Sequence, residues 1–262
     1  MFSPPIWIFK MKLLDYPVKK GYVLDATSDN HFFDCDSESL FKQNLKKMPL
    51  NWPWRTKKIQ YHLNSQFYRA PEWYDVDWKN SYLIFGCSHT FGVGINYKDT
   101  YIHHLSDLLG YPTINLGVCG SSCTFQWSNT LKLVKNNVKP KGVFYLWPGI
   151  TRMTTLKEDG GTFFHGPWDK QDLDKFWMNN IEHCIEFTNH LIDSVDLMWD
   201  CPTHHFHLVK DVCKKIPKLN FIQTENQPVL ESARDCNNGY LHPGPKCHLD
   251  WADQMFNVIT RI

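Results

Sequence analysis

Three short stretches of this 262-residue chain carry hydroxyl, glycine and imidazole groups in an order that acyl-transfer chemistry can use. The first is Phe85-Gly-Cys-Ser-His-Thr90, followed by Phe91-Gly-Val-Gly94. A serine in a glycine-flanked turn between strand and helix can expose its hydroxyl. Backbone N–H groups at that turn can receive an oxyanion. Ser88 is thus a candidate nucleophile, although the hexapeptide reads equally well as a helix cap, which Ser and Thr favour whatever the chemistry. The second stretch is Asn115-Leu-Gly-Val-Cys-Gly-Ser-Ser122. Gly117 and Gly120 permit close backbone approach or positive φ, and the Gly120 N–H is a candidate second oxyanion donor; taken alone, it reads better as an ordinary glycine turn. The third is Ala233-Arg-Asp235, then Leu241-His-Pro-Gly244. His242 in that Pro/Gly loop can face Ser88 as a base if a carboxylate fixes its tautomer. Any single one of the 13 histidines is more often a surface or hydrogen-bonded group.

Positioning such groups requires a sheet. Tyr82–Phe85, Thr113–Leu116 and Gly142–Trp147 are short apolar runs ending at Gly or Pro, the pattern of buried parallel strands. Val195–Trp199 and Asn220–Gln223 are weaker strand candidates. Helical spacing covers 100–109, 122–138, 172–192, 203–216 and 245–258. Alternating strands and helices predict a parallel sheet of about five strands with helices on both faces. Ligands of such folds sit beyond the carboxyl ends of the strands, where all three stretches fall. Residues 1–79 are irregular, polar and aromatic, and read as an N-terminal extension wrapped on a core at 80–262, with room for short hairpins.

Taken together, Gly-x-Ser-x-Thr, Asn-x-Gly-x-x-Gly and Asp…His-Pro-Gly in this order resemble the SGNH/GDSL hydrolase superfamily, over roughly residues 80–262. The stretch from Tyr61 to Ala70 is similar to an Asn-Ser-x-Gly-x-Arg lead-in of some SGNH-like proteins, with Phe67 in place of the glycine. The resemblance implies a three-layer α/β/α, flavodoxin-like fold and action on ester bonds, often acetyl groups on sugars or lipids. It implies Ser88 as nucleophile, His242 as base and Asp235 as acid, with Asn115 and Gly120 in the second block. Two departures stand out. Thr151 occupies the place of an oxyanion-binding Asn, and one lost oxyanion donor raises a barrier by ~2.7–4 kcal/mol. Gly239 stands three before His242, so 236–239 reads as a turn-forming insertion that loops out and leaves Asp235 beside His242. If it does not, Ser88 and His242 form a dyad.

His89 adjoins Ser88 but points away from it and lines the pocket; Trp147 and Arg152 shape the acyl or sugar site. Cys201, His204, His205, His207 and Cys213 have metal-ligand types without finger-like spacing, and read as a helix. No metal or organic cofactor is called for. Lys plus Arg number 28 against 27 Asp plus Glu, with no basic face, which argues against nucleic acid. No run reaches the ~18 apolar residues of a membrane span. The apolar patch at 5–9 is too short and proline-broken for a secretion signal. Nine cysteines without framework spacing read as mostly reduced thiols, in a cytoplasmic or virion-associated setting of viral or bacterial origin. The resulting expectation is a serine ester hydrolase acting on a small-molecule or carbohydrate ester through an acyl-Ser88 intermediate. The alternatives are an SGNH-type O-acyltransferase and a non-catalytic carbohydrate-binding module.

Overall fold

The computed structural model describes residues 11–14, 32–33, 35–156, 161–168, 179–224, 231–235 and 242–260. The turn cluster at 26–30, the leading patch at 5–9, the first part of the 172–192 helix and the 236–239 insertion lie outside the described residues.

Five parallel strands make the sheet: β1 (Tyr82–Gly86), β2 (Thr113–Gly117), β3 (Gly142–Leu146), β6 (Thr203–His207) and β7 (Asn220–Phe221). Their order is β2-β1-β3-β6-β7. Counting sheet strands alone, this is 2-1-3-4-5, the flavodoxin-like order, and it places a crevice at the switch between β1 and β3. The strands are apolar because both faces are covered. Leu83, Phe85, Val143, Tyr145 and Trp147 belong to one buried cluster, together with residues of α4 (Cys123–Lys135) and α5 (Ile181–Met198). Ile84, Phe144, Leu146 and Phe206 belong to another, with α3 (Tyr101–Leu109) and α7 (Pro245–Thr260). Helix starts and stops follow from local chemistry. Thr100 and Ser122 accept from the N–H groups of His103 and Phe125, and Gly110 ends α3 at φ +67°. Among the described residues no helix is long and apolar enough to cross a membrane.

Two expectations fail locally. Residues 195–198 finish α5 instead of forming a strand, and the fourth sheet strand is Thr203–His207, inside a predicted helix. Only 210–215 of that helix forms, as α6 (Lys210–Lys215). His204 packs tilted against Phe144 and His205 stacks on Tyr145, one on each face of the sheet. Strand alternation thus separates side chains that a helix would have gathered. An antiparallel hairpin, β4 (Met153–Leu156) with β5 (Thr162–His165), was not foreseen.

Before the sheet, the described residues form α1 (Glu38–Lys47) and three 3-10 turns, with no hairpin. Trp52, Trp54, Tyr61, Tyr68, Trp73 and Trp78 share a buried cluster with Leu83 and Phe85.

Candidate active site

Ser88 opens α2 (Ser88–Phe91), a single turn laid across the ends of β1 and β2. Two glycines in register make room for it. A Cβ on Gly86 would fall 1.7 Å from Thr90 Oγ1, and one on Gly117 would fall 2.5 Å from the Phe91 nitrogen. Asn115 braces the turn, donating from Nδ2 to the Thr90 carbonyl at 3.0 Å and accepting from Gly117 N–H at 2.9 Å. Arg69 braces its exit, donating from Nη1 to the carbonyls of Phe91 and Gly92 and from Nη2 to that of Ile95. In the lead-in stretch, Phe67 takes φ +65°, the left-handed conformation natural to the glycine it replaces.

His242 and Asp235 meet. Asp235 Oδ2 lies 2.6 Å from His242 Nδ1, and both side chains are buried. Burial alone would disfavour the imidazolium. The Asp235 carboxylate outweighs it, helped by the Cys35 sulfur as an acceptor for the ring, and holds the His242 pKa well above the ordinary imidazole range. Cys35, an exposed thiol, went unnoticed in the sequence because it lies in the irregular leading segment. The His89 ring stands 5.7 Å from that of His242 and 5.8 Å from that of Trp251. The loop 242–244 is seated closely, since a Cβ on Gly244 would fall 1.6 Å from the Glu231 carbonyl oxygen.

The Ser88 hydroxyl makes no hydrogen bond to another described residue, so a preformed Ser–His contact is absent here; such bonds often tighten only around substrate. The backbone N–H groups of Ser88 and Gly120 likewise donate to no described residue. Gly120 has φ +74°, and a Cβ there would fall 3.3 Å from Phe164 and 3.9 Å from Trp168. Thr151 is half-buried in the loop between β3 and β4. Arg152 stacks over the Trp168 ring at 5.1 Å. Burial pushes the Cys87 thiol up, but His89 and Arg152 prevail and hold its pKa well below the usual value.

Trp147 and Asn115 sit differently. Trp147 is fully buried, stacked on Tyr145, with its Nε1 donating to His205 Nδ1 at 3.1 Å. It belongs to the core under the site, and Asn115 spends both ends of its amide on the backbone around Ser88. No disulfide joins any two of the eight described cysteines.

No family model matches the chain, and no curated protein matches its sequence. Among solved structures it is similar to an acetyl xylan esterase from the rumen bacterium Butyrivibrio proteoclasticus, at 13% identity and TM-score 0.43, covering 69% of this chain and 63% of that one. It is similar to a carbohydrate esterase family 2 enzyme with a carbohydrate-binding domain from Corynascus thermopiles (Myceliophthora fergusii), at 13% identity and TM-score 0.45, covering 69% and 65%. A putative lipolytic protein of the G-D-S-L family from Desulfitobacterium hafniense gives 11% identity and TM-score 0.42, covering 69% and 99%. The matched part spans less than two thirds of the first two chains. These are likenesses of overall architecture alone.

Proposed function

We propose that this chain is a serine ester hydrolase of the SGNH/GDSL kind. The observation that carries the reading is the buried Asp235–His242 pair at 2.6 Å, beside the turn that begins with Ser88. Asp235 accepts the Nδ1 proton, which leaves Nε2 as the lone-pair nitrogen able to take a proton from Ser88 Oγ. Ser88 attacks the acyl carbonyl, and His242 returns the proton to the departing alcohol. Water, activated by the same nitrogen, then releases the acid. The Ser88 and Gly120 N–H groups, both uncommitted to described residues, receive the oxyanion, with the Thr151 hydroxyl as a third donor. Trp168 is 49% exposed beside Gly120, under the Arg152 guanidinium. A half-exposed indole at this position supports a small acyl group, such as acetyl, carried on a sugar ring.

The test is single-turnover acylation with an activated acetyl ester. Ser88→Ala is expected to lower hydrolysis by more than about a thousand-fold, His242→Ala nearly as much, and Thr151→Ala much less. A wild-type protein that forms no acyl-Ser88 adduct would sink the enzyme reading. It would favour a non-catalytic binding site, to which the Ser88 hydroxyl without a base contact already leans. The same pocket would then be tested for sugar binding without turnover.

A further inference from the structure

A hydrogen-bonded network from the first third of the chain closes around the residue before Asp235. Arg234 is fully buried, and its Nε and Nη2 donate to Asp36 Oδ2 at 3.0 and 2.7 Å. Asp36 Oδ2 also accepts from the Tyr61 hydroxyl at 2.5 Å, and that hydroxyl accepts from the Gly94 N–H at 2.8 Å. The Arg234 backbone is fixed too. Its N–H donates to the Gly94 carbonyl at 3.1 Å, and its carbonyl accepts from Asn44 Nδ2 at 3.2 Å. Trp54 Nε1 donates to the Ser232 carbonyl at 2.8 Å, and Ala233 N–H donates to the His242 carbonyl at 3.2 Å.

A buried ion pair is weak evidence for stability, because two charges must leave water and apolar packing would hold the core as well. What the pair supplies is direction. A guanidinium engaged through both Nε and Nη2 has little rotational freedom, and Asp235 is the next residue. Gly94 limits the opposite side: at φ +72°, its missing Cβ would fall 2.9 Å from Asp235 Oδ1 and 3.1 Å from the Arg234 nitrogen. The backbone leading into Asp235 is thus held at Arg234 by positions 36, 44 and 94, with Tyr61 bracing Asp36, and Gly94 also lies against the Asp235 carboxylate.

We propose that Asp36, acting through Arg234 and supported by Tyr61 and Asn44, is a positioning residue that fixes the angle at which Asp235 meets His242. The proposal rests on reading His242 as the base of the reaction. Among the described residues, the titratable groups facing His242 include Asp235, Cys35, His89 and His248, and those facing Asp36 include Arg234, Tyr61 and Asp235.

The test is Asp36→Asn in the full chain, read by NMR titration of the His242 ring and by ester hydrolysis across pH. Without the Asp36 charge, Arg234 turns toward Asp235 and loosens its hold on the imidazolium. His242 is expected to titrate about one unit lower, and the acid limb of kcat/KM to fall by the same amount. The rate constant kcat is expected to drop about ten-fold, with KM changed less than about two-fold. Loss of fold alone would not move that limb. Because Asp36→Asn leaves a buried cation, it is paired with Tyr61→Phe, which removes the hydroxyl's bonds to Asp36 and from the Gly94 N–H, and with Asn44→Ala, which removes the bond to the Arg234 carbonyl; neither removes a charge. Both are expected to shift His242 in the same direction by less. Folded variants whose His242 titrates as in wild type overturn the proposal. A shift in His242 without any wild-type ester hydrolysis upholds the positioning and overturns the functional reading. Hydrolysis without a shift does the reverse.

Discussion

As the proposed base, His242 would carry a conflict between activity and stability that its partner sets. Its folded-state pKa lies above the unfolded value of ~6.5, against the pull of burial, chiefly because of the Asp235 carboxylate. The charged pair therefore stabilises the fold fully below that unfolded value, and this contribution is lost as pH rises through the folded pKa. On the proposed reading His242 is the base and must be neutral, so activity would move the other way. The acid limb of kcat/KM is expected above the ordinary imidazole range, and Asp235→Asn is expected to bring it down while lowering kcat. A pH–rate series on the two proteins checks this. Cys35 gives a second residue-scale outcome. It is the exposed member of the described thiols and touches His242. Iodoacetamide is expected to block hydrolysis, with Cys35→Ser staying active and resistant; equal inactivation of both proteins would point to a different thiol.

At the scale of elements, the glycine pair Gly86 and Gly117 decides where Ser88 stands. Gly117→Ala sets a methyl group 2.5 Å from a backbone nitrogen, which no side-chain rotation relieves. We expect ~1–3 kcal/mol of destabilisation by overpacking, measured by urea unfolding, together with about a ten-fold loss of kcat as α2 lifts. The sequence made this region legible because β1, β2 and β3 are continuous apolar runs closed by Gly or Pro. It hid β6, because Thr203-His-His-Phe-His207 offers polar residue types where burial on both faces usually selects Val and Ile. Two of those histidines are held by partners from other elements: Trp147 and Asp196 bond His205, and Phe144 packs against His204. The meeting of Asp235 with His242 was legible from the order of the motifs. Arg234 was not, since an arginine in a loop reads as solvated until the carboxylate 198 residues away is seen beside it.

On the scale of the whole molecule, the residues before the sheet are part of the packing. Trp52, Trp54, Tyr61, Tyr68, Trp73 and Trp78 are buried in the cluster that includes Leu83 and Phe85. Removing residues 1–79 would expose that surface and strand Arg234 without Asp36. The remaining 80–262 chain is expected to aggregate or to lose its cooperative thermal transition; a soluble fragment with a sharp transition and wild-type activity would contradict this. The 198-residue span between Asp36 and Arg234 also sets a schedule. A chain growing at ~5–20 residues per second carries Asp36 for about 10–40 s before its guanidinium has been made. Throughout that interval Asp36 lacks its guanidinium partner, and Asp235 has not yet been made. On the proposed reading, chemistry at Ser88 would wait for nearly the whole chain, and a ribosome-bound or prematurely ended product would be inert toward the esters around it.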